Sequence, residues 1–241
     1  MSVGSPDSAD LHRWVIWTGK QNMTGIKQRR AARFCLWLVM VLAVIGSICY
    51  ILQWQPKMQS LSVIYEGLQQ QDAGQWMQPL RKDMKCFPVR KDKSGQEHWS
   101  YENGYGEGRS YGGARTHEGI DIMSSTSQRG YFQIQSVSDG VVEQLGWLEL
   151  GGYRVGVRSP SGLYFYYAHL DSYALNLKKG DRVKAGQVLG TMGDSGYGKE
   201  GTRGKFAVHL HFGIYYTENG QERSLNPFYL LQYQECGIIK E

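Results

Sequence analysis

The chain has 241 residues, 41% apolar and 12% aromatic, which allows one or two packed domains and excludes a chain disordered throughout. Its net charge of +5 is not distributed as a nucleic-acid surface requires: residues 1–33 carry six Lys/Arg against two Asp, whereas residues 54–241 carry 21 Lys/Arg against 20 Asp/Glu. The basic excess is local, and no nucleic-acid partner is expected.

In chain order, residues 1–33 read as a short basic segment. Phe34 to Leu52 then form an uncharged run of 19 residues, FCLWLVMVLAVIGSICYIL. At a rise of about 1.5 Å per residue this spans roughly 28 Å, close to the ~30 Å hydrocarbon core of a bilayer. A transmembrane helix over residues 34–53 is expected, with the lipid bilayer as its partner. Lys27, Arg29, Arg30 and Arg33 precede it and only Lys57 follows closely, which places the N-terminus in the cytoplasm and the remainder outside. Trp37, Tyr50 and Trp54 suit the two interfaces. A cleaved signal peptide needs a shorter apolar region and a small-residue cleavage site, and Ile48-Cys49-Tyr50 is a poor one, so an uncleaved anchor is the reading.

Residues 54–83 are rich in Gln and read as an extracytoplasmic stalk, with Leu61, Val63, Ile64, Leu68 and Met77 marking a short, weakly amphipathic helix. From residue 84 to 241 the texture is glycine-punctuated and alternating. Strands are expected over 132–137, 140–147, 153–159, 163–170, 187–193 and 206–216, separated by turn signals at 159–162, 178–181 and 184–186. No helical pattern intervenes between them, which argues for an all-β domain and against parallel βαβ units. Cys35 and Cys49 fall in the span. Cys86 and Cys236 lie near the two ends of the outer domain and either pair or remain thiols.

Four of the six histidines fall in three strand-like motifs. In His117-Glu118-Gly119-Ile120-Asp121, an extended backbone puts His117 and Asp121 on one face; imidazole and carboxylate are both good Zn²⁺ ligands. In the run 206–216, Phe206, Val208, Leu210, Phe212 and Ile214 form a continuous apolar face. His209 and His211 therefore project together from the opposite side. The third motif is Tyr167-Ala168-His169-Leu170. Three ligands with an open fourth position suit a catalytic zinc site, and two further histidines suit proton transfer beside it. No HExxH helix or CxxC pair is present.

HEGIDI, YYAHL and HLHFGI, in that order, with GWLELGGYRVGVRS and GDRVKAGQVLGTMGDSGYG between them, resemble the lysostaphin-type, LytM-like zinc endopeptidases of metallopeptidase family twenty-three. The resemblance covers roughly residues 86–230. It implies a mostly antiparallel β-sheet domain with a substrate groove walled by the loops after Gly146 and Gly193. It implies one Zn²⁺ held by His117, Asp121 and His211, with His209 and His169 as non-ligand catalytic histidines, either of them the base. Tyr111, six residues before His117, matches a tyrosine implied to steady the oxyanion. The implied activity is hydrolysis of peptide bonds in cell-wall peptidoglycan by a membrane-tethered enzyme, with wall peptides as substrate, no protein partner identified and the bond cut left open. Two alternatives are a wall-binding or complex-assembly scaffold and a peptidase acting on a protein.

Overall fold

The structure is a computed structural model and describes residues 29–30, 33–50, 66–67, 74–92, 94–111 and 113–235. Most of the segment read as a stalk, and Cys236, lie outside the described residues.

Two compact units divide the chain near residue 59. In the first, α1 (Arg33–Tyr50) is an 18-residue helix, long and apolar enough to cross a membrane, with none of its span buried against protein. A soluble core helix hides its apolar face, whereas Phe34, Leu36, Trp37, Val39 and Met40 are all exposed here.

Among the described residues the second unit has twelve strands: β1 (Trp99–Ser100), β2 (Gly108–Arg109), β3 (Arg115–Thr116), β4 (Ile120–Ser124), β5 (Gln133–Gln135), β6 (Gly140–Leu148), β7 (Gly152–Arg158), β8 (Tyr164–Tyr173), β9 (Arg182–Val183), β10 (Val188–Met192), β11 (His209–Glu218) and β12 (Gln221–Leu225). Two short helices, α2 (Met77–Asp83) and α3 (Phe228–Glu235), flank them. The strands form an antiparallel sheet in the order β1-β4-β11-β8-β7-β6-β9, with β12 on β11 and β5 joined through β10 to β8, while β2 and β3 make a separate pair. The expected mostly antiparallel β architecture is thus present.

Alternation divides the central strands into two faces. Ile120 and Ile122 of β4, Leu210, Phe212 and Ile214 of β11, Phe165 and Tyr167 of β8, and Val155 and Val157 of β7 all have no exposed surface. Burying each such side chain contributes roughly 1.5–3 kcal/mol. Tyr167 keeps its hydroxyl satisfied by accepting from the Val137 N–H at 2.8 Å. The same core takes in Met84 and Leu80 of α2, both fully buried; Leu80 belongs to the segment 54–83 read as a stalk.

Register then sets the other face. His211 pairs with Asp121 of β4 on one side and with Ala168 of β8 on the other. These three positions form one row across the middle of the sheet. β11 and β12 are joined by Asn219-Gly220, both with positive φ (51° and 77°), a two-residue turn whose backbone suits the twist of a hairpin. The sequence pattern did not mark β12 or α3. The latter starts after Asn226-Pro227, where Asn226 Oδ1 accepts from the Phe228 N–H at 3.0 Å and proline pre-sets the first turn.

Candidate metal centre

Three donor atoms meet on the polar face of the sheet. His117 Nε2 lies 3.0 Å from Asp121 Oδ1 and 2.9 Å from His211 Nδ1, and His211 Nδ1 lies 3.0 Å from Asp121 Oδ1. Two nitrogens and one carboxylate oxygen no more than 3.0 Å from one another are close enough to share one cation at bonds of about 2.0–2.2 Å. Two imidazole lone pairs facing each other at 2.9 Å repel unless a proton or a cation lies between them. The donor set therefore fits a divalent metal. Among the described residues, His117, Asp121 and His211 are a group able to hold one.

The sequence argument placed His117 and Asp121 on one strand face, and the structure corrects it. Residues four apart in a regular strand are about 13 Å apart and do not touch. Here β4 begins only at Ile120, and the chain bends through Glu118-Gly119, which folds His117 back over Asp121. Gly119 is required by space. A Cβ there would stand 2.6 Å from the Phe212 carbonyl oxygen and 2.7 Å from His211 Cε1 and Nε2. Gly119→Ala is expected to displace His211 and weaken metal binding about 10–100-fold, read by competition with a chromophoric chelator, with a stability loss of about 1–3 kcal/mol.

The neighbours orient these donors. The Gly104 carbonyl accepts from His117 Nδ1 at 2.9 Å, which leaves the Nε2 lone pair for the cluster. Arg109 Nη2 donates to Asp121 Oδ2 at 3.0 Å, holding the oxygen that the triangle does not use. The same Nη2 is 2.8 Å from His117 Nδ1; being a donor, it competes there with the imidazole proton, and Asp121 is its acceptor. Burial opposes ionisation of Asp121, but the close approach of the His117 and His211 imidazoles outweighs it and holds the carboxyl well below the usual carboxylate range.

His169 reaches the same face by a different device. Tyr167 points into the core and Ala168 toward the groove, so strict alternation would return His169 to the core. Between Tyr153–Leu170 and Val155–Tyr167 the β7–β8 register shifts, leaving Ala168 and His169 both opposite Arg154. This bulge, with His169 at φ 63°, turns the imidazole toward the groove. Its Nδ1 donates to the Ser195 carbonyl at 2.8 Å, so Nε2 is left as an acceptor. Ser195 is itself fixed, donating to Leu170 O at 2.6 Å and accepting from the Tyr153 N–H at 3.0 Å. His209 has the same polarity: Nδ1 donates to Ala207 O at 2.8 Å, and Nε2 lies 3.8 Å from Asp121 Oδ1. The two rings are 4.7 Å apart.

Burial lowers the pKa values of His169, His209 and His211 below that of a free histidine; for His169 the neighbouring His209 and His211 add to the effect. Their unfolded forms take up protons first as pH falls below about 6.5, so stability is complete above that value and declines below it. The metal-free protein is expected to lose up to about 1.4 kcal/mol per pH unit for each of these histidines, visible as a falling thermal midpoint between pH 7 and 5.

Tyr111 lies apart from the triangle. Its ring stacks on Tyr197 at 4.2 Å and its hydroxyl donates to the Tyr197 carbonyl at 2.8 Å. Phe206, expected on the core face, is instead outside β11 and packs against His169 at 4.6 Å and Tyr197 at 4.8 Å. The groove, about 1120 Å³, runs past the cluster between the 148–151 loop and Tyr197. The loop carrying Tyr197 is clamped by Arg129–Asp194 (2.6 Å) and Arg203–Asp171. Arg109, Arg115, Arg154 and Tyr166 also line the groove. They carry no motif in the sequence, and only the sheet register reveals them.

Comparison with known proteins places these features. A model described as "Peptidase family M23" matches residues 115–227. The L-Ala–D-Glu endopeptidase of Bacillus subtilis (strain 168) is 41% identical over 142 residues, covering 59% of this chain and 40% of that protein. The glycyl-glycine endopeptidase ALE-1 of Staphylococcus capitis is 32% identical over 132 residues, covering 52% and 33%. The chain thus spans less than half the length of these curated relatives. Among solved structures, lytM from Ruminococcus gnavus, assigned as a glycyl-glycine endopeptidase, is 54% identical with a TM-score of 0.60, covering 64% of this chain and 61% of that one.

Proposed function

We propose, because residues 115–227 match the model described as peptidase family M23, that the chain is a member of that family and a membrane-anchored, zinc-dependent endopeptidase that hydrolyses peptide bonds of bacterial cell-wall peptidoglycan. One observation carries this reading: His117, Asp121 and His211 bring three metal donors within hydrogen-bond distance of one another, beside two buried histidines whose free nitrogens are acceptors.

His117, Asp121 and His211 are the residues that would hold one zinc ion. When bound, such an ion supplies Lewis acidity toward a carbonyl and a water whose pKa approaches about 7. His169 and His209, neutral at pH 7 because burial disfavours their charged forms, accept a proton at Nε2 and return one to the leaving amine. Asp121 stays ionised, and Arg109 and Gly104 keep Asp121 and His117 in place. Tyr111 donates to an oxyanion only after its hydroxyl leaves the Tyr197 carbonyl, a change that substrate entering the groove would drive.

The segment 34–53 anchors the domain. Its apolar length and the basic residues before it support a single span with the N-terminus cytoplasmic and residues 54–241 outside, where residues 54–83 lead into the metallopeptidase domain. The wall as substrate is what the family resemblance implies; the relatives' names supply peptide bonds, and they differ on the bond: one names an acidic residue, the other glycine.

Purified full-length protein in detergent, incubated with isolated cell walls, tests the reading. New peptide amino termini should appear, vanish with a chelator and return with zinc. Stoichiometric zinc with no cleavage of any wall preparation or protein would support a scaffold instead.

A further inference from the structure

Several arginines around the sheet have acidic partners. Arg158 is bidentate to Glu143 at 2.6 and 2.8 Å and reaches Glu222 at 3.1 Å. Arg129, Arg203 and Arg109 pair with Asp194, Asp171 and Asp121. Two arginines lining the groove differ. Arg154 Nε and Nη1, and Arg115 Nε, are buried with no hydrogen-bond partner among the described residues. An unmet buried donor costs about 1–3 kcal/mol, and more on a charged group.

Their position relative to the cluster is fixed by the sheet. Arg154 opposes the bulge that carries Ala168 and His169. Both guanidiniums act electrostatically on the hydroxyl of Tyr166, whose ring packs edge-on against His211 at 5.9 Å. The two cations therefore flank the side of the groove that leads away from the metal donors along β7 and β8. The acidic groups on this wall do not serve them: Glu222 is held by Arg158, and Glu118 and Glu149 are solvent-exposed.

We propose that Arg154, assisted by Arg115, forms a carboxylate subsite, and that the preferred substrate is a peptide bearing a free carboxylate next to the scissile bond. A guanidinium fork matches a carboxylate in plane and charge, and a neutral glycine bridge offers it no such partner. A small side-chain rotation on binding, common at ligand-contacting surfaces, turns the unmet N–H groups onto the ligand. This subsite rests on the endopeptidase reading for the bond cut, but its ligand preference is measurable without cleavage.

The test uses full-length, zinc-loaded protein and two synthetic peptides blocked at both ends, identical except that one carries a free carboxylate beside an Ala–Glu bond and the other a carboxamide, with N-acetyl-pentaglycine amide as a neutral probe. Calorimetry on the His169→Asn variant reads binding, and mass spectrometry on the wild type reads cleavage. At least tenfold tighter binding of the carboxylate peptide is expected. Arg154→Gln should reduce that ratio to within twofold, through KM in the cleavage assay, while zinc content stays constant. Arg154→Lys keeps the stem and the charge, should give an intermediate ratio, and serves as the second variant if Arg154→Gln fails to fold. Equal binding of the pair by the wild type, or a preference that survives both Arg154→Gln and Arg115→Gln, overturns the subsite. Tight carboxylate binding without any cleavage leaves the subsite standing and removes the endopeptidase reading. Equal cleavage of all three peptides does the reverse.

Discussion

Asp121→Ala is expected to abolish stoichiometric metal binding and lower kcat/KM on wall peptides at least about a thousandfold, several kcal/mol of transition-state stabilisation. The carboxylate is the only anionic corner of the donor triangle, and its Oδ1 is 3.0 Å from both imidazoles. Removing it leaves two imidazoles facing each other and Arg109 without its acceptor, an arrangement that repels a cation. Metal analysis after dialysis, run beside the rate assay, checks this. Rate lost with metal retained would show that Asp121 acts in proton transfer and that another group completes the ligand set.

His169→Asn should do the opposite: keep the metal and lose the rate, by about 10²–10⁴-fold, the usual contribution of a positioned acid–base group. Asparagine is the informative substitution because it tolerates the left-handed backbone that His169 adopts at φ 63°, so the bulge between β7 and β8 persists. His169 is also outside the triangle, with its Nδ1 committed to Ser195. Loss of metal in His169→Asn would contradict the division into ligands and proton carriers. The same substitution at His209 should also spare the metal, since its Nε2 stands 3.8 Å from Asp121 rather than in the cluster.

These two roles differ in how far the sequence exposed them. The pairing of His209 and His211 followed from alternation, because Val208, Leu210, Phe212 and Ile214 leave only the other face for the histidines. The all-β texture was legible for the same reason, whereas the antiparallel direction of the strands was implied only by the family resemblance. His117 and Asp121 were found as ligand types at short spacing, but their contact depends on a bend at Gly119 that alternation cannot express. His169 was harder still, since a regular strand would have buried it beneath the sheet; only the bulge opposite Arg154 brings it up. Phe206 moved faces because β11 starts at His209, three residues later than its apolar pattern suggested. Arg109, Arg115 and Arg154 left no mark at all. An isolated arginine in a strand reads as a solvent-facing residue until the register shows what it faces.

The antiparallel sheet sets a row of side chains, and local departures from regularity adjust it. Asp121, His211 and Ala168 occupy one row by register. A bend delivers His117 to that row and a bulge delivers His169. Such irregularities cost local stability and recur where function fixes geometry.

Anomalous diffraction from crystals of the zinc-loaded protein, collected on both sides of the zinc edge, bears on all of this at once. A single strong peak bonded to His117 Nε2, Asp121 Oδ1 and His211 Nδ1, with His169 and His209 unbound beside it, is the predicted result. A peak elsewhere, or none with those three side chains splayed apart, would contradict it.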